Sequence, residues 1–407
     1  MPELKVLEVL LHDAPIGTLT LLPNNQTLFA FDQAYIDDEG RDTLSQSFLD
    51  PLGQLISEVK LTRSKLPPFF SNLLPEGPLR EYLARQAGVK PQDEFSLLWM
   101  LGKDLPGALS IRSTDDETWP ITKDETHASH EKRLRNALRF SLAGVQLKFS
   151  ARMKGHLTIP TQGIGGDWIV KLPSTKFKDV PENEFSMMQI ARQIGLDVPE
   201  VRLVPIEEIE GLPDDLKQIG PFALAVKRFD RIEGDKAVHI EDFAQVFKLY
   251  PEEKYEKISY RNIAELIWTK AGEADLAEYI RRFAFNALIG NGDMHAKNWS
   301  LIYPDRRNPE LAPGYDFVST VAYPAIEDAL ALSFMGSKKF EDIDRSRFIK
   351  LAAKAQLPEK LVLDAVNQTV SAFHETWQSD QKNLPLTKEA INAINKNLAR
   401  LPIARKD

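Results

Sequence analysis

The chain has 407 residues, 43% of them hydrophobic and 27% charged, and carries a net charge of -8. That length allows two or three domains with sizeable cores, while the acidic balance argues against general electrostatic binding to nucleic acid. Seven His and no Cys exclude a thiolate metal site or a disulfide scaffold. No stretch approaches the apolar length of a membrane span, and Met1-Pro2-Glu3-Leu4-Lys5 lacks a signal-peptide pattern, so a cytoplasmic protein with no membrane partner is expected.

The opening third reads as a small β-rich unit. Apolar runs at 6–11 and 16–21 flank an Asp13-Ala14-Pro15 turn, and a third run at 27–31 follows Asn24-Asn25. Residues 66–77 are apolar, but their prolines oppose a regular element, so this loop is expected to be packed down. Short helices are predicted over 78–86 and 92–101, and the polar, acidic run from 113 to 125 marks a boundary.

A second β-rich block starts near Phe140. Small residues within 141–149 would let backbone amides approach a phosphate, although this loop has Gly144 alone where kinase loops have three glycines. Lys171 lies inside the apolar run 168–173, either as an edge-strand guard or as a charge with a buried partner. The helix predicted over 182–195 has Phe185, Met188, Ile190, Ala191 and Ile194 on one face. Glu182 and Glu184 in its first turn serve either the helix dipole or Lys171. A strand over 223–230 breaks at Asp230. Helices follow, opening at 241–247 and continuing over 259–269, 275–289, 342–355, 358–377 and 387–401. This order suits two lobes with a cleft between them.

The helix over 275–289 runs into Gly290-Asn291-Gly292-Asp293-Met294-His295-Ala296-Lys297-Asn298. A strand at 299–303, a turn at 304–309 and a return from Leu311 follow. Asn298 and Asp316 are equally far from Arg307, so an antiparallel hairpin centred there brings them together as a hard-oxygen pair suited to Mg²⁺. Asp293 is then placed to accept a proton from a hydroxyl. Asp-x-x-x-x-Asn with a later Asp-Phe is the spacing of a protein-kinase catalytic loop, without the preceding His-Arg and with Val318 in place of Gly. An Asx-rich turn closing a helix is the other reading of the loop alone. The order of phosphate loop, strand Lys, helix Glu, linker, Asp/Asn loop and Asp-Phe favours a kinase-like phosphotransferase.

Residues 141–148, 169–173, 183–185, 226–231, 290–298 and 315–319 resemble the HipA family of serine/threonine kinase toxins, and 72–77 and 102–109 resemble its coupling domain. The resemblance implies an α+β, bilobal protein-kinase-like fold. A β-rich coupling domain would span 1–125, a kinase N-lobe 126–228 and a helical C-lobe 229–407. It implies ATP and Mg²⁺ as cofactors, Asp293 as catalytic base, and Asn298 and Asp316 as metal ligands. Lys171 would bind ATP phosphates with Glu184 as its partner candidate, and Lys227 and Phe229 would meet adenine through their backbones. Ala143, Gly144, Val145, Gln146, Lys148, His295 and Lys297 would complete the ATP site. Ser141 matches the serine whose autophosphorylation expels the loop and silences the kinase.

By the same resemblance the chain would be the toxin of a type II toxin–antitoxin pair. Its partner would be a HipB-like helix-turn-helix antitoxin, and the complex would repress its operon on DNA. Known members phosphorylate an aminoacyl-tRNA synthetase, glutamyl-tRNA synthetase in the best-studied case, which halts translation and favours persistence. Two rival readings are a small-molecule phosphotransferase with the same Asp/Asn/Asp geometry and a non-catalytic kinase-like binding protein in an antitoxin–DNA assembly. His239, His374 and the pair Phe69-Phe70 read as packing or surface residues, and His295 as a hydrogen-bonding neighbour of the chemistry.

Overall fold

The computed structural model describes residues 5–114, 147–154, 156–159, 165–212, 216–232 and 236–405. The phosphate-loop candidates Ser141, Ala143, Gly144, Val145 and Gln146 lie outside these residues, as does most of the acidic run before them.

The architecture is α+β, as expected. Strands β1 (Lys5–Leu11), β2 (Ala14–Leu22), β3 (Gln26–Phe31), β4 (Thr62–Arg63) and β5 (Leu109–Ser113) form a sheet in the order β4-β3-β2-β1-β5. The β1–β2 turn carries His12 and Asp13 at φ of 49° and 64°, the positive-φ pair whose twist suits a tight hairpin. Residues 66–77 are packed down, with Phe69, Phe70, Leu73 and Leu74 all buried. A short helix, Pro68–Ser71, forms there in spite of the prolines, because Pro68 sits in its first turn, where its missing N–H costs no bond. Helices Gly77–Ala87 and Glu94–Leu101 follow.

Strands β6 (Lys148–Lys154), β7 (His156–Thr158), β8 (Trp168–Lys171), β9 (Val201–Pro205) and β10 (Phe222–Lys227) form a second sheet in the order β7-β6-β8-β10-β9. Strand residues alternate between faces. Phe149, Ala151, Trp168, Val170, Ala223 and Ala225 join a hydrophobic cluster that includes Val9, Phe29 and Phe70 of the N-terminal region. Leu224 and Val226 instead join the cluster of the helical region. The second sheet therefore separates two cores, and one of these belongs equally to the N-terminal region. Lys171, out of phase with Trp168 and Val170, projects towards the other face, over which helix Val180–Gln193 packs.

A two-stranded ribbon, β11 (Arg231–Ile232) and β12 (Lys236–Ala237), leads to a small sheet of β13 (His239–Asp242), β14 (Ser300–Tyr303) and β15 (Glu310–Leu311). Glu241 and Asp242 are thus strand residues, where the sequence pattern predicts the start of a helix. Asp242 ends β13 and also caps helix Phe243–Val246 in a capping box with Gln245. Around this sheet pack helices Tyr260–Lys270, Glu273–Ile289, Arg345–Ala355, Glu359–Asp380 and Lys388–Arg400. The predicted stripe Leu276, Ile280, Phe283, Ala287 and Leu288 is buried throughout. Gly290 ends that helix at φ 68°, where a Cβ would lie 2.6 Å from a Val321 methyl. Among the described residues, no helix is long and apolar enough to cross a membrane.

Candidate active site

Several of the charged residues singled out by the sequence meet where the second sheet faces the helical region. The Lys171 ammonium donates to Glu184 Oε1 at 2.5 Å and also to Asp316 Oδ1. Lys148 stands directly opposite Lys171 across the β6–β8 ladder. Like charges in that position repel, so the two carboxylates are what make the pair tolerable. Burial and the neighbouring Lys171 charge push the Lys148 ammonium down to about 8, against the pull of Asp316. Burial raises the Glu184 carboxyl. It would raise Asp316 as well, but the Lys171 and Lys148 charges outweigh it and hold Asp316 low.

The hairpin that presents Asp316 forms, with a register one residue from the predicted one. Leu301 pairs with Leu311 and Ile302 with Glu310, which centres the turn on Arg306 instead of Arg307. The reason is local. Asp305 Oδ1 accepts from the amides of Arg307 and Asn308, and Arg306 takes a φ of 69°. Continued, this register sets Asn298 opposite Gly314, so Asp316 lies beyond the pairing and leaves it through a left-handed residue, φ 57°. Tyr315 holds the exit by donating to the Lys297 carbonyl at 3.0 Å.

The loop after Gly290 is braced by Asn291, a buried residue the sequence reading passed over. Its Oδ1 accepts from the Asp293 amide at 3.0 Å, and its Nδ2 donates to Asn286 Oδ1 at 2.8 Å and to the Asp316 carbonyl at 3.3 Å. One amide thereby ties the candidate base to the candidate metal ligand. Asn298 Nδ2 donates to the Asp293 carbonyl at 2.8 Å, leaving its Oδ1 as an acceptor. With the Asp316 carboxylate this gives hard-oxygen donors of the type that hold Mg²⁺ together with substrate phosphates. Among the described residues no cluster of three His, Cys, Asp or Glu side chains exists that would hold a metal without such help.

Asp293 is exposed on the loop after Gly290. Protein surrounds it and raises its carboxyl, the Tyr255 hydroxyl and the Lys254 charge oppose that rise, and the carboxylate stays open to solvent, which tempers the effect of burial. Tyr255 donates to Asp293 Oδ1 at 2.6 Å. His295 is buried and kept neutral by desolvation and by Lys254. Its Nδ1 has no partner among the described residues, and its ring packs edge-on against Tyr255 at 4.9 Å.

Other sequence candidates are placed differently. The Lys297 ammonium is taken up by the Asn72 carbonyl at 2.8 Å, Asn72 Oδ1 at 3.0 Å and Asp242 at 3.0 Å. The Lys227 amide donates to the Glu200 carbonyl at 2.8 Å, and its side chain is exposed. Phe229 stacks on Tyr315 with ring centroids 5.8 Å apart. His239 is fully buried against the Leu44 carbonyl, and His374 meets the Ala404 carbonyl.

The N-terminal region reaches this site through buried polar contacts. Lys254 donates to Glu76 Oε2 at 2.8 Å, and Asn72 donates to the Leu249 carbonyl at 2.7 Å. Arg228, just before the strand break, is bidentate to Asp230 at 2.9 and 2.8 Å and also bonds Asp104 at 3.1 Å and Ser150 at 3.0 Å. Arg231 joins Asp230 at 2.7 Å and Asp104 at 3.2 Å. The motifs at 102–109 and 226–231 are thus two halves of one charge-balanced network.

Residues 140–377 match the model of the HipA-like C-terminal domain, and residues 7–112 match that of the HipA N-terminal domain. Y4dM of Sinorhizobium fredii is 52% identical over 100% of this chain and 99% of its own. Y4mE of the same organism is 30% identical over 97% of each. The serine/threonine-protein kinase toxin HipA of Shewanella oneidensis is 28% identical over 67% of each chain. A solved structure of HipA from Shewanella oneidensis, in complex with HipB and its operator DNA, superposes with a TM-score of 0.72 at 22% identity. It covers 98% of this chain and 96% of the other, so the fold is shared.

Proposed function

This chain belongs to the HipA family, and from that premise we propose that it is an ATP- and Mg²⁺-dependent serine/threonine protein kinase acting as a toxin. Asp293 takes the proton of the acceptor hydroxyl. Lys171, oriented by Glu184, binds the nucleotide phosphates, and Asn298 and Asp316 hold the metal. Bound ATP and Mg²⁺ supply the phosphoryl group and the charge that neutralises it. The chain's own residues position and orient, which is most of what phosphoryl transfer requires of a protein.

The observation that carries this reading is the Lys171 ammonium held between Glu184 and Asp316 with a second lysine opposite. A merely structural site gains little by burying such charges, whereas a phosphate site uses them. The finer proposal follows family membership. The acceptor is a translation component, an aminoacyl-tRNA synthetase with glutamyl-tRNA synthetase favoured, and Ser141 is the site of self-inactivation. A HipB-like antitoxin and operator DNA are the partners, as named in the Shewanella assembly. The division into coupling domain 1–125, N-lobe 126–228 and C-lobe 229–407 is part of the same proposal.

The test is intact and peptide mass after incubation with ATP and Mg²⁺, beside Asp293→Gln. Phosphate on Ser141 is expected in the wild type, with a loss of roughly a hundredfold or more in rate for the variant. Equal labelling of both proteins would remove Asp293 from its role.

A further inference from the structure

Tyr255 presents to Asp293 the same kind of group that a protein acceptor must present. Its phenol donates to Oδ1 at 2.6 Å, the short range of an O–H bond to a carboxylate. Among the described residues no other side chain donates to that carboxylate. Burial and the Asp293 charge keep the phenol protonated and able to donate. A hydroxyl to be activated by Asp293 has to make this contact.

The surroundings separate a fixed backbone from a movable ring. Lys254 is buried, with its ammonium on Glu76 and its carbonyl accepting from the Ala296 amide at 3.1 Å. The Tyr255 carbonyl accepts from Lys338 at 3.3 Å. The ring itself is on the solvent side, with Tyr255 39% exposed. The ring packs against the edge-on His295 and the Lys254 ammonium, the latter 5.5 Å from its centroid. A side-chain rotation would clear the carboxylate without moving the loop.

We propose that Tyr255 is a gate on the acceptor side: its phenol occupies the hydrogen-bond position on Asp293 that an incoming hydroxyl must take, and an acceptor enters by displacing it. The proposal rests on the reading of Asp293 as base. It makes Tyr255 a specificity residue. A protein acceptor, bound through many other contacts, can displace the phenol, whereas water has no such binding energy to spend. The gate therefore suppresses wasteful hydrolysis of ATP. Because Lys254 anchors the loop to Glu76, the N-terminal region sets where the gate stands.

The experiment is ATP hydrolysis by the full chain with Mg²⁺ and no protein acceptor, water being the probe. Tyr255→Phe keeps the ring and removes the hydroxyl. It should hydrolyse ATP roughly tenfold faster than wild type, the scale of one hydrogen bond to a charged group, with unchanged ATP affinity by titration. A rate equal to or below wild type overturns the gate and makes Tyr255 an anchor for the carboxylate. The pair Asp293→Gln and Tyr255→Phe/Asp293→Gln separates the two claims. Loss of hydrolysis in both supports the base, whatever Tyr255→Phe does. Retention in both rejects Asp293 as base.

Discussion

Replacing Asn183 with alanine tests how the two carboxylates around Lys171 are kept in register. Asn183 is one residue before Glu184 on helix Val180–Gln193 and is buried. Its Oδ1 accepts from the Ser319 amide at 2.9 Å and its Nδ2 donates to the Ser319 carbonyl at 3.0 Å, so the side chain clasps the backbone three residues beyond Asp316. Asn183→Ala leaves both backbone groups without these partners in a place where Ser319 is 0% exposed. The Ser319 carbonyl keeps the Ala322 amide as a donor, so at about 1–3 kcal/mol for the stranded Ser319 amide the loss in stability should be about 1–3 kcal/mol. Activity should fall further than stability explains. The clasp adds to the Lys171 bridge between Glu184 and Asp316 in tying the helix to the loop, and a 1 Å displacement at a positioned group costs on the order of a hundredfold in rate. Urea unfolding measures the first effect and single-turnover transfer from ATP the second. A variant within about 0.5 kcal/mol of wild type would refute the clasp as a stabilising contact, and an unchanged transfer rate would refute its positioning role.

Two other predictions concern the seams between the N-terminal region and the rest. Arg228→Met should destabilise the chain by about 3–5 kcal/mol, because Asp104 and Asp230 then share Arg231 alone among the guanidinium groups of the network. A loss below about 1 kcal/mol in urea unfolding would show that the network is not tight. Glu241 is buried and bonded by Ser45, Gln46 and Tyr303, and burial pushes its carboxyl from 4.5 up to about 7. A raised carboxyl holds its proton more tightly in the folded state, so its contribution is present below pH 4.5 and fades as pH rises towards 7, by about 3 kcal/mol in all. Glu241→Gln should flatten that part of the stability–pH curve, and an unaltered slope would assign it to other groups.

Much of the local structure could be read from residue order. The stripe from Leu276 to Leu288 and the stop at Gly290 appear as the spacing requires, because a 3.6-residue period and a left-handed glycine are properties of a single segment. Lys171 beside Glu184 was also accessible, since a charge in an apolar strand needs a partner and the next helix offers one. Where two segments share a residue, local pattern misled. Asp242 both ends a strand and caps a helix, so the strand residues before it carry the pattern of a helix start. The hairpin centre fell one residue off because the Asp305 side chain, which no periodicity reports, set the turn.

By itself, then, the sequence determined the long helices, the first hairpins and the charged residues that meet beside the second sheet, since these depend on spacing along one stretch of chain. Tertiary structure alone decided that Asn72 would take up Lys297, that Asn291 would join Asp293 to the Asp316 loop, that Tyr255 would stand on Asp293, and that the second sheet would share its core with the N-terminal region. Each of these is a directional contact or a buried face. Each depends on how separate elements are oriented in space, which spacing along the chain does not encode.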